Sequence, residues 1–235
     1  MELTEAINAR HSVRKYLHKP LSENTIAALR KAMDECNRLG RLHIQLVVDE
    51  PKAFDGLASY GRFKGVENYF ILAGEPSADL AGRIGYFGEK LVLEAQCLGL
   101  NTCWAGMTYK KVPSAFSLKG NEKVVCAIAL GYGATQGTRH KSKAPEAVSN
   151  AGSHSPEWFR RGVEAALLAP TAVNQQKFFF ELTGETSEDG KAVVEARRLF
   201  SWVGYTRIDL GIARLHFEIA ASGGHFVWKS QTAPS

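Results

Sequence analysis

Two stretches far apart in the chain read the same way. Residues 85–104 (GYFGEKLVLEAQCLGLNTCW) and 210–228 (LGIARLHFEIAASGGHFVW) each run from an amphipathic helix through a glycine break into a short strand ending in Trp. In the first copy Phe87, Leu91, Ala95 and Leu98 recur at helical spacing, and Gly99 closes the helix. A chain that turns amphipathic helix into short apolar strand must lay helices on a sheet, so the class is α+β or α/β.

An earlier echo strengthens the pattern. A helix over 25–39 leads into a strand over 42–48, and a helix over 157–169 leads into a strand over 177–183. Further buried strands are expected at 69–73 (YFILA) and 123–130 (KVVCAIAL), with a short helix at 2–9 and a weak helix or loop at 55–64. The long helix beginning at Glu23 carries Ile26, Leu29, Met33 and Cys36 on one face, and Gly40 is expected to stop it. Two halves follow, 1–150 and 151–230, which the shared pattern predicts to have one core. The polar tail from Lys229 to Ser235 is expected to be disordered.

Composition excludes several classes. Of 235 residues, 45% are hydrophobic and 23% charged, as in ordinary globular chains. No apolar run approaches the roughly 18 residues of a membrane span. The polar start Met1-Glu2-Leu3-Thr4-Glu5 is unlike a secretory signal. The net charge of +5 is dispersed, and no helix carries a basic stripe, so neither nucleic acid nor a membrane is an expected partner. Cys36, Cys97, Cys103 and Cys126 include no C-x-x-C pair and have mostly apolar neighbours. They read as reduced core thiols of a cytoplasmic protein, and no metal is expected.

Four polar motifs stand out. Arg10-His11-Ser12-Val13-Arg14 sets cations at alternate positions around a hydroxyl, a pattern suited to clamping an anion. Ala169-Pro170-Thr171-Ala172-Val173-Asn174-Gln175-Gln176 ends a helix at Pro170 and offers small residues and an amide to a flat ligand. Gly99-Leu100-Asn101-Thr102-Cys103-Trp104-Ala105-Gly106 joins helix to strand and leaves room for a backbone approach at Gly106. Gly131-Tyr132-Gly133 is followed by Arg139-His140-Lys141-Ser142-Lys143. Seen singly, each is also compatible with a turn, a packed connection or a solvated face.

Together the four motifs resemble the FMN-dependent nitroreductase family. Its pattern is R-[RH]-S-x-R, A-P-S-x-x-N-x-Q-P, G-L-G-x-x-W-x-G, and L-G-Y followed by K-x-[KR]. The order departs from the family, because the A-P-T-A-V-N block lies in the second half here. The layout resembles a family homodimer fused into one asymmetric chain that keeps one of two sites. The resemblance implies an α+β fold with a mixed, mainly antiparallel central sheet flanked by helices, pseudo-dimeric within a single chain.

It also implies one FMN per chain and a monomer in place of the family dimer. By match to the family motifs, Arg10, Ser12, Lys141 and Lys143 contact the phosphate, with Arg139 a weaker candidate. Arg14 lies near the pyrimidine edge, with His11 beside it. Ala105, Gly106 and Met107 lie near N5 and O4. Pro170, Thr171, Ala172 and Asn174 line the ribityl chain and one ring edge. Trp104 is expected to pack, and Arg62-Phe63-Lys64 to add a donor to the ring. Thr171 replaces the family Ser and Gln176 the family Pro, which puts the loop's shape in question.

The implied activity is that of an NAD(P)H oxidoreductase. Hydride passes from NADH or NADPH to flavin N5, and then to a nitroaromatic, a quinone or a similar flat acceptor. No residue is expected to act as obligate acid or base, because no Ser-His-Asp or Cys-His set appears. The alternative is an FMN-binding protein with little turnover, a flavin store or sensor.

Overall fold

The computed structural model describes residues 1–56 and 62–229. Residues 57–61, within the 55–64 segment, and 230–235, which make up all of the polar tail but Lys229, lie outside the described residues. The chain divides into two compact units, Met1–His140 and Lys141–Ser235. The sequence expectation placed the junction near residue 150. With the boundary here, Arg139 and His140 belong to the first unit, and Lys141 and Lys143 to the second.

The first unit runs α1 (Leu3–Ala9), α2 (Glu23–Gly40), β1 (Gln45–Val47), β2 (Asn68–Gly74), α3 (Leu80–Cys97), β3 (Asn101–Ala105) and β4 (Lys123–Gly131). Its sheet has the order β1-β2-β4-β3, and every pairing is antiparallel. All seven residues of β2 are buried, because both faces of this strand are covered. On one side α3 lies close over the sheet at Gly88. On the other, Tyr69 and Ile71 join Val13, Tyr16, Phe54, Phe63, Cys103 and Ala105 in a core cluster.

Local chemistry sets the helix ends. Ser22 caps α2 through its hydroxyl, which accepts from the Thr25 amide at 3.2 Å. Gly40 does not stop α2, as the sequence suggested; it is its last helical residue, and Arg41 takes the left-handed position. Gly40 is needed for packing instead, since a Cβ there would stand 2.5 Å from the Phe87 ring. Gly99 does end α3 as expected. Its φ of +77° is one that glycine adopts without strain, and the Leu100 amide then reaches back to the Ala95 carbonyl at 2.9 Å.

The second unit runs α4 (Glu157–Ala166), β5 (Phe178–Thr186), β6 (Ala192–Arg198), α5 (Thr206–Ala220) and β7 (Phe226–Trp228). β5 pairs with β6 antiparallel, and β6 with β7 parallel. Its core is aromatic. The Phe180 and Phe217 rings stack at 4.8 Å, and Phe159, Phe178 and Trp228 pack around them. The sequence reading missed β6, and the helix it set at 157–169 ends its α-helical part at Ala166.

The two units share an element order. The run α2-β1-β2-α3-β3 has the same sequence of helices and strands as α4-β5-β6-α5-β7. In the first unit β4 lies between β2 and β3, antiparallel to both, so β2 and β3 run parallel to each other. In the second unit the parallel strands β6 and β7 pair directly. The second sheet is therefore the first with β4 removed. The fold is α+β, with mainly antiparallel pairing and helices packed on the strands.

Gly88 gives a stability test. A Cβ there would stand 2.5 Å from Trp104 and 2.6 Å from Leu72. Gly88→Ala gains about 1 kcal/mol of helix propensity but overpacks the core at a cost of roughly 1–3 kcal/mol. A net loss of about 1 kcal/mol, read as a lower urea midpoint, is the expected result, and an unchanged or higher midpoint would contradict this packing.

Candidate functional site

The first unit gathers three of the four motifs around one edge strand. After α1 ends at Arg10, the chain runs along β3: Ser12 bridges Thr102 in parallel, and the Val13 amide donates to the Thr102 carbonyl at 3.0 Å. It then exchanges backbone hydrogen bonds with Lys64, whose amide donates to the Arg14 carbonyl at 2.9 Å. Tyr16 anchors the segment from below, its buried hydroxyl donating to the Val13 carbonyl at 2.7 Å. The fold thus sets the RHSVR motif beside both the GLNTCWAG strand and the Arg62-Phe63-Lys64 tract.

The two arginines of the motif differ. Arg14 is exposed, whereas Arg10 is 4% exposed and lies against Glu89 of α3. Arg10 Nε stands 3.6 Å from Glu89 Oε1, and Trp104 Nε1 donates to Glu89 Oε2 at 2.8 Å. Glu89 therefore connects the motif to β3. Sequence reasoning missed it, because one acid in an amphipathic helix carries no local signal of partners this distant. Asn101 was missed for the same reason. Its Oδ1 accepts from the Gly133 amide at 3.0 Å and its Nδ2 donates to Gln136 at 3.1 Å, which ties the turn after β4 to β3.

That turn brings further cations onto the motif. Gly137 has a φ of +74°, and a Cβ there would stand 2.8 Å from His11 Cβ and 3.1 Å from the Ser12 carbonyl. The close approach lays segment 137–140 over residues 11–13. The His11 imidazole is held below its usual pKa, first by burial and then by the charges of Arg10, His140 and Arg139. Such a convergence of cationic groups is electrostatically suited to an anion. Ser12 hydrogen-bonds the Cys103 thiol, and burial holds that thiol's pKa above the usual range. At the end of β3, Ala105 is 1% exposed and Met107 is 74% exposed, so the strand leads from the core to the surface.

The second unit holds the remaining residues, organised by a different buried acid. In the loop after α4, the Ala172 amide donates to Asp209 Oδ1 at 3.0 Å, and Gln175 Nε2 donates to Asp209 Oδ2 at 2.6 Å. Lys143 braces the same loop, its Nζ donating to the carbonyls of Gln175 at 2.7 Å and Gln176 at 2.9 Å. These bonds use two of the three N–H donors of the ammonium. Asn174 Nδ2 donates to the Lys141 carbonyl at 2.8 Å. Counted along the family pattern, Gln176 falls on its glutamine and Lys177 on its proline, which corrects the sequence reading of a proline replaced at 176; Gln176 is 1% exposed. Its Oε1 accepts from the Lys143 amide at 2.8 Å, and its Nε2 lies 3.3 Å from the Leu167 carbonyl. The glutamine thus ties the loop to Lys143 and to the end of α4. Pro170 and Thr171 are half-buried, and Asn174 is exposed.

Among the described residues no group of three or more His, Cys, Asp or Glu could hold a metal ion, and no helix is long and apolar enough to cross a membrane. Of the cysteines, all free, Cys36, Cys103 and Cys126 are buried and Cys97 is half-buried.

The α+β chain has known counterparts. The family described as "Putative TM nitroreductase" matches residues 2–221. The chain belongs to this nitroreductase family. A "putative nitroreductase" of Thermotoga maritima shares 25% identity and a TM-score of 0.58, over 94% of this chain and 83% of that one. A "putative nitroreductase in complex with FMN" from Desulfovibrio desulfuricans has the same fold, at 17% identity and a TM-score of 0.52, over 66% of this chain and 98% of that one. A nitroreductase of Bacillus subtilis aligns at 13% identity and a TM-score of 0.50, over 66% of this chain and 74% of that one. No curated protein matches the chain.

Asp209 predicts a pH signature. Burial pushes its pKa up to about 6 from 3.8, against the two hydrogen bonds that favour the ionised form. A carboxyl with a raised folded pKa binds more protons folded than unfolded, so stability falls as pH rises between about 4 and 6. The loss is on the order of 3 kcal/mol at most. Asp209→Asn should flatten that part of the stability–pH curve in urea titrations; a wild-type slope in the variant would contradict the assignment.

Proposed function

We propose that this chain binds FMN and acts as an NAD(P)H-dependent oxidoreductase on nitroaromatics, quinones or similar flat acceptors. The observation that carries the reading is the convergence of Arg10, His11, Arg139 and His140 where the chain folds back at Gly137. A phosphate dianion fits such a set of donors. Family membership supports the same reading, as does the FMN complex of the Desulfovibrio relative.

When bound, FMN supplies the redox chemistry, taking electrons from reduced nicotinamide by hydride transfer at N5 and returning them to the acceptor. The protein's part is to bind, orient and tune. Arg10, Ser12, Arg139 and the remaining donor of Lys143, with Lys141, are assigned to the phosphate. Arg14, with His11, is assigned to the pyrimidine edge, where a cation favours the reduced ring. Ala105, Gly106 and Met107 are assigned to the N5 and O4 side. Pro170, Thr171, Ala172 and Asn174 are assigned to the ribityl chain and ring edge. The shared element order of the two units supports reading the chain as two fused halves, a monomer with one FMN. The free cysteines fit a reducing, cytoplasmic setting.

The test is direct. Purified protein should be yellow, with FMN near one per chain, and NADH or NADPH should bleach it within seconds. Two FMN per chain would overturn the single-site reading. A yellow protein that neither donor bleaches would be a flavin store. A colourless chain that refuses added FMN would overturn the whole assignment.

A sharper test uses the phosphate alone. Arg139→Ala should weaken FMN about tenfold, as expected for one lost charge-assisted hydrogen bond, and leave riboflavin affinity unchanged. Equal weakening of both ligands would remove Arg139 from the phosphate site.

A further inference from the structure

We propose that Asp209 is the positioning residue of the 171–176 loop, holding it in the shape that meets the flavin. The inference rests on the FMN reading above. An acid in the first turn of a helix ordinarily serves that helix's own amides. Asp209 lies in the first turn of α5 but turns both oxygens to the loop after α4, Oδ1 to the Ala172 amide at 3.0 Å and Oδ2 to Gln175 Nε2 at 2.6 Å. The residue is 2% exposed, so little water competes for these contacts. Gln175 carries the constraint further, giving its second N–H to the Gly204 carbonyl at 2.9 Å.

The loop needs such a hold. Val173, Asn174 and Gln176 all have left-handed backbones, with φ of 46°, 55° and 45°, and none is glycine. Conformations of this kind persist only where surrounding contacts over-determine them. Lys143 braces the Gln175–Gln176 end through two carbonyls. At the Thr171–Ala172 end, Asp209 takes the Ala172 amide. Losing Asp209 releases that amide and the Gln175 side chain together, and so loosens the segment assigned to the ribityl chain and ring edge. Asparagine is the conservative replacement. Its Oδ1 still accepts from Ala172, the contact that fixes the loop backbone, and its amide can donate to Gln175 Oε1 if that side chain turns over and gives up its bond to the Gly204 carbonyl. Gln175 Oε1 is a buried acceptor with no hydrogen-bond partner in the structure.

The experiment compares the full-length wild type with Asp209→Ala and Asp209→Asn. It reads three quantities: hydrogen exchange of the 170–177 segment without flavin, FMN dissociation constant, and urea midpoint. Asp209→Ala should speed exchange in the loop and weaken FMN, each by roughly tenfold or more, while Asp209→Asn stays within about threefold of wild type. An Asp209→Ala protein with a lowered midpoint but wild-type loop exchange and FMN affinity would overturn the proposal, leaving a purely structural residue. If Asp209→Ala does not fold, Gln175→Ala breaks one of the two contacts and should shift both readouts in the same direction; wild-type values there would equally overturn it. If the wild type binds no FMN, the flavin reading fails, and loop exchange alone still decides what Asp209 does.

Discussion

Glu89 carries a carboxylate with no solvent exposure into the interior of the first unit. A buried charge is tolerated only when it is paired and hydrogen-bonded, and this one draws its partners from two other elements. Arg10 comes from the end of α1, and Trp104 from β3. The extended run from Ser12 to Tyr16 can lie along β3 because Arg10 is fixed where that run begins. Segment 137–140 in turn closes over His11 because the run lies there. The cationic edge thus depends on one buried acid of α3. Burying an ion pair contributes little net stability, and what it supplies is a single arrangement of motif, helix and strand.

Asp209 plays a comparable part in the second unit by different means. It has no cation among the groups that set its pKa; backbone and amide N–H groups hold it instead, and burial drives the pKa up. The fold accepts this destabilised carboxylate together with three left-handed residues, each costing on the order of 1 kcal/mol or more. Strain concentrated on one loop is common at ligand sites. Here it coincides with the loop that sequence resemblance had already singled out.

Much of the fold was legible because its signals are local. α2, α3, β2, β3 and β4 announce themselves by apolar period, β-branched runs and glycine breaks. β6 did not, since Ala-Val-Val-Glu-Ala-Arg-Arg offers only a short apolar stretch before its charges. Within the site, the motif residues could be read, but what holds them could not. Arg10 and Arg14 look equivalent in sequence, yet one is buried against Glu89 and the other is exposed. Gln176 looks like an ordinary loop amide, yet it is buried and hydrogen-bonds the Lys143 amide. Gly40 looks like a stop signal, yet its missing Cβ makes room for Phe87. In each case the deciding partner lies distant in sequence, and a residue's local pattern does not encode it.

The missing strand explains the composition of the second unit. Among the described residues no strand answers to β4: the sheet has three strands, and β7 has three residues, all only half-buried. Two helices on so small a sheet enclose little apolar area if aliphatic side chains fill the space. Aromatic rings cover more surface per residue, and this unit uses them densely. Phe180 and Phe217 stack, Trp158 stacks on Phe226 at 5.2 Å, and Arg214 lies over the Trp228 ring at 4.5 Å. At Gly162 a Cβ would stand 2.7 Å from the Phe217 ring, so α4 approaches α5 more closely than any side chain there would allow. That close approach sets the end of α4 near the start of α5, where Asp209 can reach Ala172 across a short gap. The 171–176 loop takes its place beside an aromatic core that fills the space of a small sheet.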